Sequence, residues 1–373
     1  MSKKTQQKKL LKTMSKDDQM KERMKLWSTF YRANIHRFIE HYMGVELFFF
    51  QKILMYFMNI NTYFMLVASR GLSKSWLIAL YCIARCILYP GTKVVVASGV
   101  KKQARLIITE KIMKDFMINY PNIDREIKSI KSSANETVVF FHNGSTIEAV
   151  TSNDNSRGYR GNILILEEFR MINKEVLDTV LIPFLNVNRQ PPYLKKEEYK
   201  HLSEENVELY ISSAYFESHW MWNAMQSTLD NMLKGIDNVI FCMDYLLPLH
   251  HGLLSKKRID NIKSKKDFDS VGFSMEYENL MFGQNADALF TLEDLDKNRV
   301  GEKIFYPYTT TEYIENKSKR KEKLLEGEIR ILGVDVALMG GKNNDSSVIH
   351  CVRLIPNGDH YIRKVAYSEV VQG

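Results

Sequence analysis

The chain has 373 residues, 45% hydrophobic and 26% charged, with a formal net charge of +8. That length allows two domains with sizeable cores, and the balance excludes a disordered class. The longest apolar run, 76–89, is too short for a bilayer and carries Arg85, and the basic N-terminus lacks the apolar stretch of a secretory signal.

Residues 1–25 read as a flexible or helical basic arm, rich in lysine from Lys3 to Lys25. Such charge suits a polyanionic partner, through counterion release at phosphates. An aromatic-rich helix is expected over 46–59, carrying Phe50-Gln51. An apolar strand over 63–68 follows, then the turn Ser69-Arg70-Gly71-Leu72-Ser73, then Lys74-Ser75 opening an apolar helix. A phosphate-binding loop is built this way. Backbone N–H groups of the turn and the helix N-terminus face an anion, lysine reaches the β/γ-phosphates, and the Ser75 hydroxyl ligates Mg²⁺. The strict pattern wants glycine where Ala68 and Ser73 stand, and only Gly71 is permissive. Taken alone, the segment also fits an ordinary strand-turn-helix.

Cys82, Cys86, Cys242 and Cys351 show no zinc spacing and read as reduced thiols of a cytosolic protein. A strand is expected over 93–97 and a helix over 101–120. A hairpin follows, 137–141 and 145–150, with Asn143-Gly144 as a type I′ turn. A buried strand ends in Glu167-Glu168, and another spans 207–212. Strands alternating with helices imply an α/β domain with a mostly parallel sheet. From 246 to 323 the pattern weakens, and three further strands are expected at 329–336, 347–354 and 360–367.

Glu167-Glu168 leave a strand at its C-terminal end, where open α/β sheets bind ligands. In a nucleoside triphosphatase the first acid holds the Mg²⁺ shell and the second polarises the attacking water. Two arginines are candidate fingers for the charge on the γ-phosphoryl group: Arg70 in cis, and Arg160, in the loop Ser156-Arg157-Gly158-Tyr159-Arg160-Gly161, toward a neighbouring subunit.

Together these residues resemble the large terminase subunits of tailed bacteriophages, from about residue 46 to the end of the sequence. The resemblance rests on the loop Ser69 to Ser75, Phe50-Gln51, the hairpin around Asn143-Gly144, Arg160-Gly161, Glu167-Glu168, Ser212-Ser213-Ala214, Gly333-Val334-Asp335 and Asn344-Asp345-Ser346. It implies an additional-strand P-loop ATPase core over 26–245, a lid or linker over 246–325, and the start of an RNase H-like nuclease domain over 326–373. It implies that Gln51 reads adenine, that residues 69–75 with Ser212 and Ser213 contact ATP, and that Ser75 and Glu167 hold Mg²⁺. Asp335 and Asp345 are then the first nuclease metal ligands. The implied work is ATP-driven movement of double-stranded DNA into a prohead, in the host cytoplasm, by a homo-oligomeric ring with a portal protein and a small terminase subunit as partners and no membrane. Two features depart from the family: Glu167 stands where aspartate is usual, and the remaining nuclease carboxylates are expected beyond Gly373, so the chain alone is not expected to cut DNA. A helicase-like P-loop enzyme and a non-catalytic DNA-binding or assembly subunit stay open as alternatives.

Overall fold

The apolar runs become strands because they can be buried on both faces of one sheet. In chain order the strands of the first unit are β1 (Tyr63–Ala68), β2 (Lys93–Ser98), β3 (Ile127–Ser132), β4 (Thr137–Phe141), β5 (Thr146–Thr151), β6 (Ile163–Glu167), β7 (Val207–Ser212) and β8 (Asn238–Met243). They form one eight-stranded sheet in the order β3-β4-β5-β2-β6-β7-β1-β8. From β5 to β8 every neighbour is parallel, whereas β3 and β4 are antiparallel additions. Strand β7 stands between β1 and β6, which is the additional-strand arrangement of the expected α/β class. The structure is a computed structural model describing residues 15–99, 101–133, 136–153, 156–283, 297, 325–336 and 347–371, and the chain divides into two units, Met1–Leu289 and Phe290–Gly373.

Alternate residues of each strand enter two cores. Phe64, Leu66, Val94, Val96, Ile163 and Ile165 join one, with Leu54 of helix α2 (Phe49–Ile60) and Leu77 and Leu80 of helix α3 (Lys74–Leu88). Met65, Val67, Val95, Ala97, Leu164 and Leu166 join the other, with Phe169, Phe184 and Met221. Cys82 and Cys86 are free and buried in α3, and burial pushes both thiols up.

The N-terminal arm does not end at residue 25. Helix α1 runs Lys16–Ala33, capped by Ser15, and Trp27 packs edge-on against Tyr31, Phe38 and Tyr42 at 4.9, 5.8 and 6.0 Å. Residues 1–14, with most of the anticipated lysines, lie outside the described residues. The helix expected over 101–120 is α-helical at Lys101–Leu106 and π-helical at Ile107–Phe116. Strands β3 and β8, the two edges of the sheet, were not anticipated: β3 interrupts its apolar residues with lysine and serine and lacks the fully apolar signal of the centre, whereas the apolar run 239–243 of β8 was overlooked.

The turn at Asn143-Gly144 is not type I′. Gly144 has φ +84, but Asn143 is absent from the residues with positive φ. The connection closes as Gly144 N to Phe141 O and Phe141 N to Ser145 O. Asn143 instead caps the end of α3, donating Nδ2 to Cys86 O at 2.7 Å while its Oδ1 accepts Ser145 N at 3.0 Å.

Residues 246–283 belong to the first unit. Tyr245 N donates to Tyr277 O at 2.8 Å, and Phe282 exchanges backbone bonds with Tyr215 and Glu217 just after β7. The rest of the segment anticipated as lid or linker, 284–296 and 298–324, lies outside the described residues. The second unit is an antiparallel sheet of β9 (Ile329–Asp335), β10 (Ser347–Asn357) and β11 (His360–Val371), in the order β11-β10-β9. Arg353 and Arg330 clamp Glu328 at 2.7 and 2.8 Å and hold its carboxyl below the usual range. Among the described residues no helix is long and apolar enough to cross a membrane.

Asn143 ties α3 to the β4–β5 connection through a part-buried amide. Asn143→Ala is expected to destabilise the first unit by about 1–2 kcal/mol in urea unfolding, the cost of the lost bonds; an unchanged midpoint would contradict this role.

Candidate functional site

Register brings the chemistry to one edge of the sheet. Val67 lies opposite Ser212 and Ile211 opposite Glu167, so β1, β7 and β6 end side by side. Residues 69–75, 212–213 and 167–168 therefore emerge together at the C-terminal ends of parallel strands, the edge where such sheets hold ligands.

The loop after β1 is pinned from several sides. Ser69 N donates to Met243 O at 2.9 Å and Arg70 N to Glu276 O at 2.8 Å. Leu72 is fully buried in the core. Gly71 has φ +87, and an added Cβ would meet Leu254 at 3.4 Å. Ser73 has φ 62, the left-handed region that the strict loop pattern reserves for glycine. A side chain there costs about 1–2 kcal/mol, yet Ser73 O still accepts Leu77 N and starts α3.

Lys74 and Ser75 meet the acid pair. Lys74 Nζ donates to Ala68 O at 2.6 Å, Ser69 O at 3.1 Å and Ser213 Oγ at 3.3 Å. Burial lowers its pKa, against the pull of Glu168, Glu167 and Glu276. Ser75 Oγ donates to Glu167 Oε1 at 2.6 Å, while Glu167 Oε2 is buried without a partner. Burial pushes the Glu167 carboxyl up to about 7; the Ser75 bond opposes the shift and Glu168 adds to it. Ser212 Oγ donates to Glu168 Oε2 at 3.3 Å. Glu168 is itself left-handed, φ 50 and ψ 53, a strained turn that sends its side chain back over the strand ends.

Two residues of this edge escaped the sequence reading. Arg170 Nε lies 3.1 Å from Glu168 Oε2 without hydrogen-bond alignment, Nη1 donates to Ala214 O at 3.0 Å, and Nη2 donates to Glu276 Oε1 at 2.6 Å. Glu276 Oε2 also accepts Arg70 Nε at 2.8 Å, and the two arginines hold its carboxyl low despite burial. The signal for Arg170 was available, a cation two residues beyond the acid pair. Glu276 had none, because it lies 206 residues from Arg70 in a stretch without clear periodicity.

A cavity of about 680 Å³ opens along the loop, lined by residues 69–76 with Phe48, Gln51, Lys111, Glu168 and Leu253. A second, of about 430 Å³, adjoins it at Ser75, Glu167, Glu168 and Lys111. Gln51 is buried, and its Oε1 accepts Phe48 N at 3.0 Å, so one end of the amide serves the start of α2. Phe48 and Phe50 lie 4.8 and 5.1 Å from the His251 ring at this end of the first cavity. Among the described residues no three His, Cys, Asp or Glu gather as a metal cluster.

Arg160, expected to act toward a neighbouring subunit, does not stand at this edge. Arg160 precedes β6 whereas Glu167 ends it; five residues of strand span about 17 Å. Arg160 lines a separate cavity with Lys93 and Arg189 and donates to Tyr159 O at 2.9 Å, so it does not serve the loop of its own chain. Asp335 ends β9 in the second unit, and Asp345 lies outside the described residues.

No protein-family model and no curated protein matches the chain. Among solved structures it is similar to the ATPase domain of a Thermus phage large terminase, at 14% identity and a TM-score of 0.46, covering 65% of this chain and 96% of that one. It is also similar to a large terminase of a thermophilic bacteriophage in complex with ADP, at 12% identity and 0.44, covering 87% and 68%. A third likeness is to a chain of the bacteriophage Phi-29 genome packaging motor, at 16% identity and 0.26, covering 44% and 46%. At such identities and scores, the functional assignment depends on the geometry of the site.

Ser73→Gly relieves the left-handed serine and is expected to raise unfolding stability by about 1 kcal/mol; a loss of stability would show that the serine side chain contributes more than its strain costs. Glu167 titrates with a folded value of about 7 against an ordinary 4.5. Its proton is therefore held more tightly folded than unfolded. The associated stability is complete below pH 4.5 and is lost as pH rises through about 7, to a total of about 3 kcal/mol. In Mg²⁺-free urea titrations Glu167→Gln should remove that dependence, and identical pH profiles for both proteins would refute it.

Proposed function

We propose that the chain is the ATP-hydrolysing motor subunit of a viral DNA-packaging terminase. The observation that carries this reading is the 2.6 Å bond from Ser75 to Glu167, which joins the loop to the acid pair across the intervening strand β7. An ordinary strand-turn-helix has no reason to bury a carboxylate against the first turn of its helix.

The donor set fits Mg²⁺. A hard cation takes oxygen ligands, and in nucleotide sites one or two protein side chains suffice. Ser75 Oγ and Glu167 would hold the ion, and the orphaned Glu167 Oε2 is the atom left to receive it. When bound, Mg²⁺ neutralises charge on the β- and γ-phosphate oxygens.

The protein's own groups supply the rest. Backbone N–H groups of 69–75 and the start of α3 face the phosphates. Lys74 exchanges its carbonyl partners for phosphate oxygens. Glu168 aligns the attacking water and accepts its proton, and Ser212 and Ser213, bonded to Glu168 and Lys74, register the change in charge. Arg70 stands at the loop as the cis arginine. Arg160 is kept as a finger only toward a neighbouring subunit, which requires the homo-oligomeric ring. Gln51, with Phe48 beside it, closes the base end of the cavity as the adenine reader.

The net charge of +8 supports double-stranded DNA as the moving partner. The prohead portal, a small terminase subunit and the host cytoplasm complete this reading. We assign β9 to β11 to an RNase H-like nuclease with Asp335 as its first carboxylate, but one carboxylate does not make a two-metal centre, so no cutting is assigned to the described residues.

Lys74→Ala is expected to abolish nucleotide binding and turnover together. Glu168→Gln is expected to bind ATP normally and to lose at least about 100-fold in turnover, the share of a general base. Fluorescent-nucleotide titration and phosphate release separate the two. Undiminished hydrolysis in Lys74→Ala would overturn the assignment.

A further inference from the structure

Glu276 divides one carboxylate between two arginines of the hydrolytic edge. Its Oε1 takes Arg170 Nη2 at 2.6 Å and its Oε2 takes Arg70 Nε at 2.8 Å. The site around it is sheltered: the side chains of Arg170, Glu168 and Glu276 are 12, 20 and 21% exposed. Charges so placed are weakly screened and respond strongly to the loss of one neighbour.

Glu276 does not float. It lies in the π-helical turn Ser274–Glu278, and the next residue, Asn279, donates Nδ2 to Val67 O at 2.8 Å. Its own carbonyl accepts Arg70 N at 2.8 Å. The carboxylate is thus fixed relative to β1. Arg170 is fixed in turn: Nη1 is held by Ala214 O, Nη2 by Glu276, and the face of the guanidinium lies over Tyr215 at 5.6 Å. A planar guanidinium held at two nitrogens has a determined position, and its Nε stands 3.1 Å from the Glu168 carboxylate, an ion pair without hydrogen-bond alignment.

We infer that Glu276 is a positioning residue for hydrolysis: through Arg170 it sets where the Glu168 carboxylate stands. The inference rests on the assignment of Glu168 as the water-aligning acid. Glu276 touches neither water nor nucleotide in this role. Without its charge, Arg170 loses the anchor at Nη2 and turns toward Glu168, drawing the carboxylate from its place. A shift of about 1 Å at a group that aligns a reactant costs on the order of 100-fold in rate.

The test uses the full chain, with ATP turnover, fluorescent-nucleotide binding and thermal unfolding measured on each variant. Glu276→Gln keeps the backbone bond to Arg70 N and removes only the charge. Its kcat is expected to fall about 10–100-fold while KM does not rise. Arg170→Lys, which cannot reproduce the fork, should show the same split. The double variant should lose no more than the worse single one, because both act along one path. Glu276→Asp, which keeps the charge, should recover part of the loss. Wild-type kcat in Glu276→Gln, a loss confined to KM, losses that multiply in the double variant, or an Asp variant no better than Gln each overturns the relay. Failure of the unsubstituted chain to bind or hydrolyse ATP overturns the hydrolytic reading beneath it.

Discussion

The spacing of one β-strand governs this site. Strand β7 separates β1 from β6, so the loop strand and the acid strand stand two ladder steps apart, about 10 Å. That gap is too wide for direct contact between the strand ends. It is closed from above by α3, whose second residue, Ser75, bonds Glu167. The same gap leaves Ser212 and Ser213 at the floor, each bonded to one of the charged groups on either side. Remove β7 and the groups crowd; insert another strand and they no longer meet.

Around that gap six charges alternate. Lys74, Arg70 and Arg170 face Glu167, Glu168 and Glu276, and most of them are half-buried or deeper. The others are held by a neighbour of opposite sign or by backbone carbonyls, whereas Glu167 takes the Ser75 hydroxyl on one oxygen and keeps the other without a partner. Burial opposes its ionised form, so the carboxylate favours whatever positive charge arrives. The edge also stores backbone strain, with Ser73 and Glu168 both left-handed. Such conformations persist only where the surroundings over-determine them, here the buried Leu72 on one side and the core residue Phe169 on the other.

Much of this was legible in the residues. Val-Val-Val in β2 and Ile-Leu-Ile-Leu in β6 are apolar at successive positions, which suits only a strand covered on both faces. Lys74-Ser75 after such a strand, and Glu167-Glu168 at the end of another, mark the strand ends at which charge gathers. The failures have equally local causes. Asn143 carries the turn signal, yet its amide found the end of α3 a better partner than a type I′ turn. The basic arm read as ending at residue 25 continues as one helix to Ala33, where Trp27 packs against its aromatic neighbours. Edge strand β3, with lysine and serine at four of six positions, resembles a loop.

The sequence by itself determined the sheet's central strands, the chemical types at their ends and the order in which they occur, because burial and local backbone preference are written residue by residue. Only the tertiary structure decided which of those groups meet. It brought Glu276 across 206 residues to Arg70, and it placed Arg160 at the opposite end of β6 from Glu167, beside Lys93 and Arg189. Pairing across such separations depends on strand order and on the path of the chain between strands. No local window of sequence carries that information.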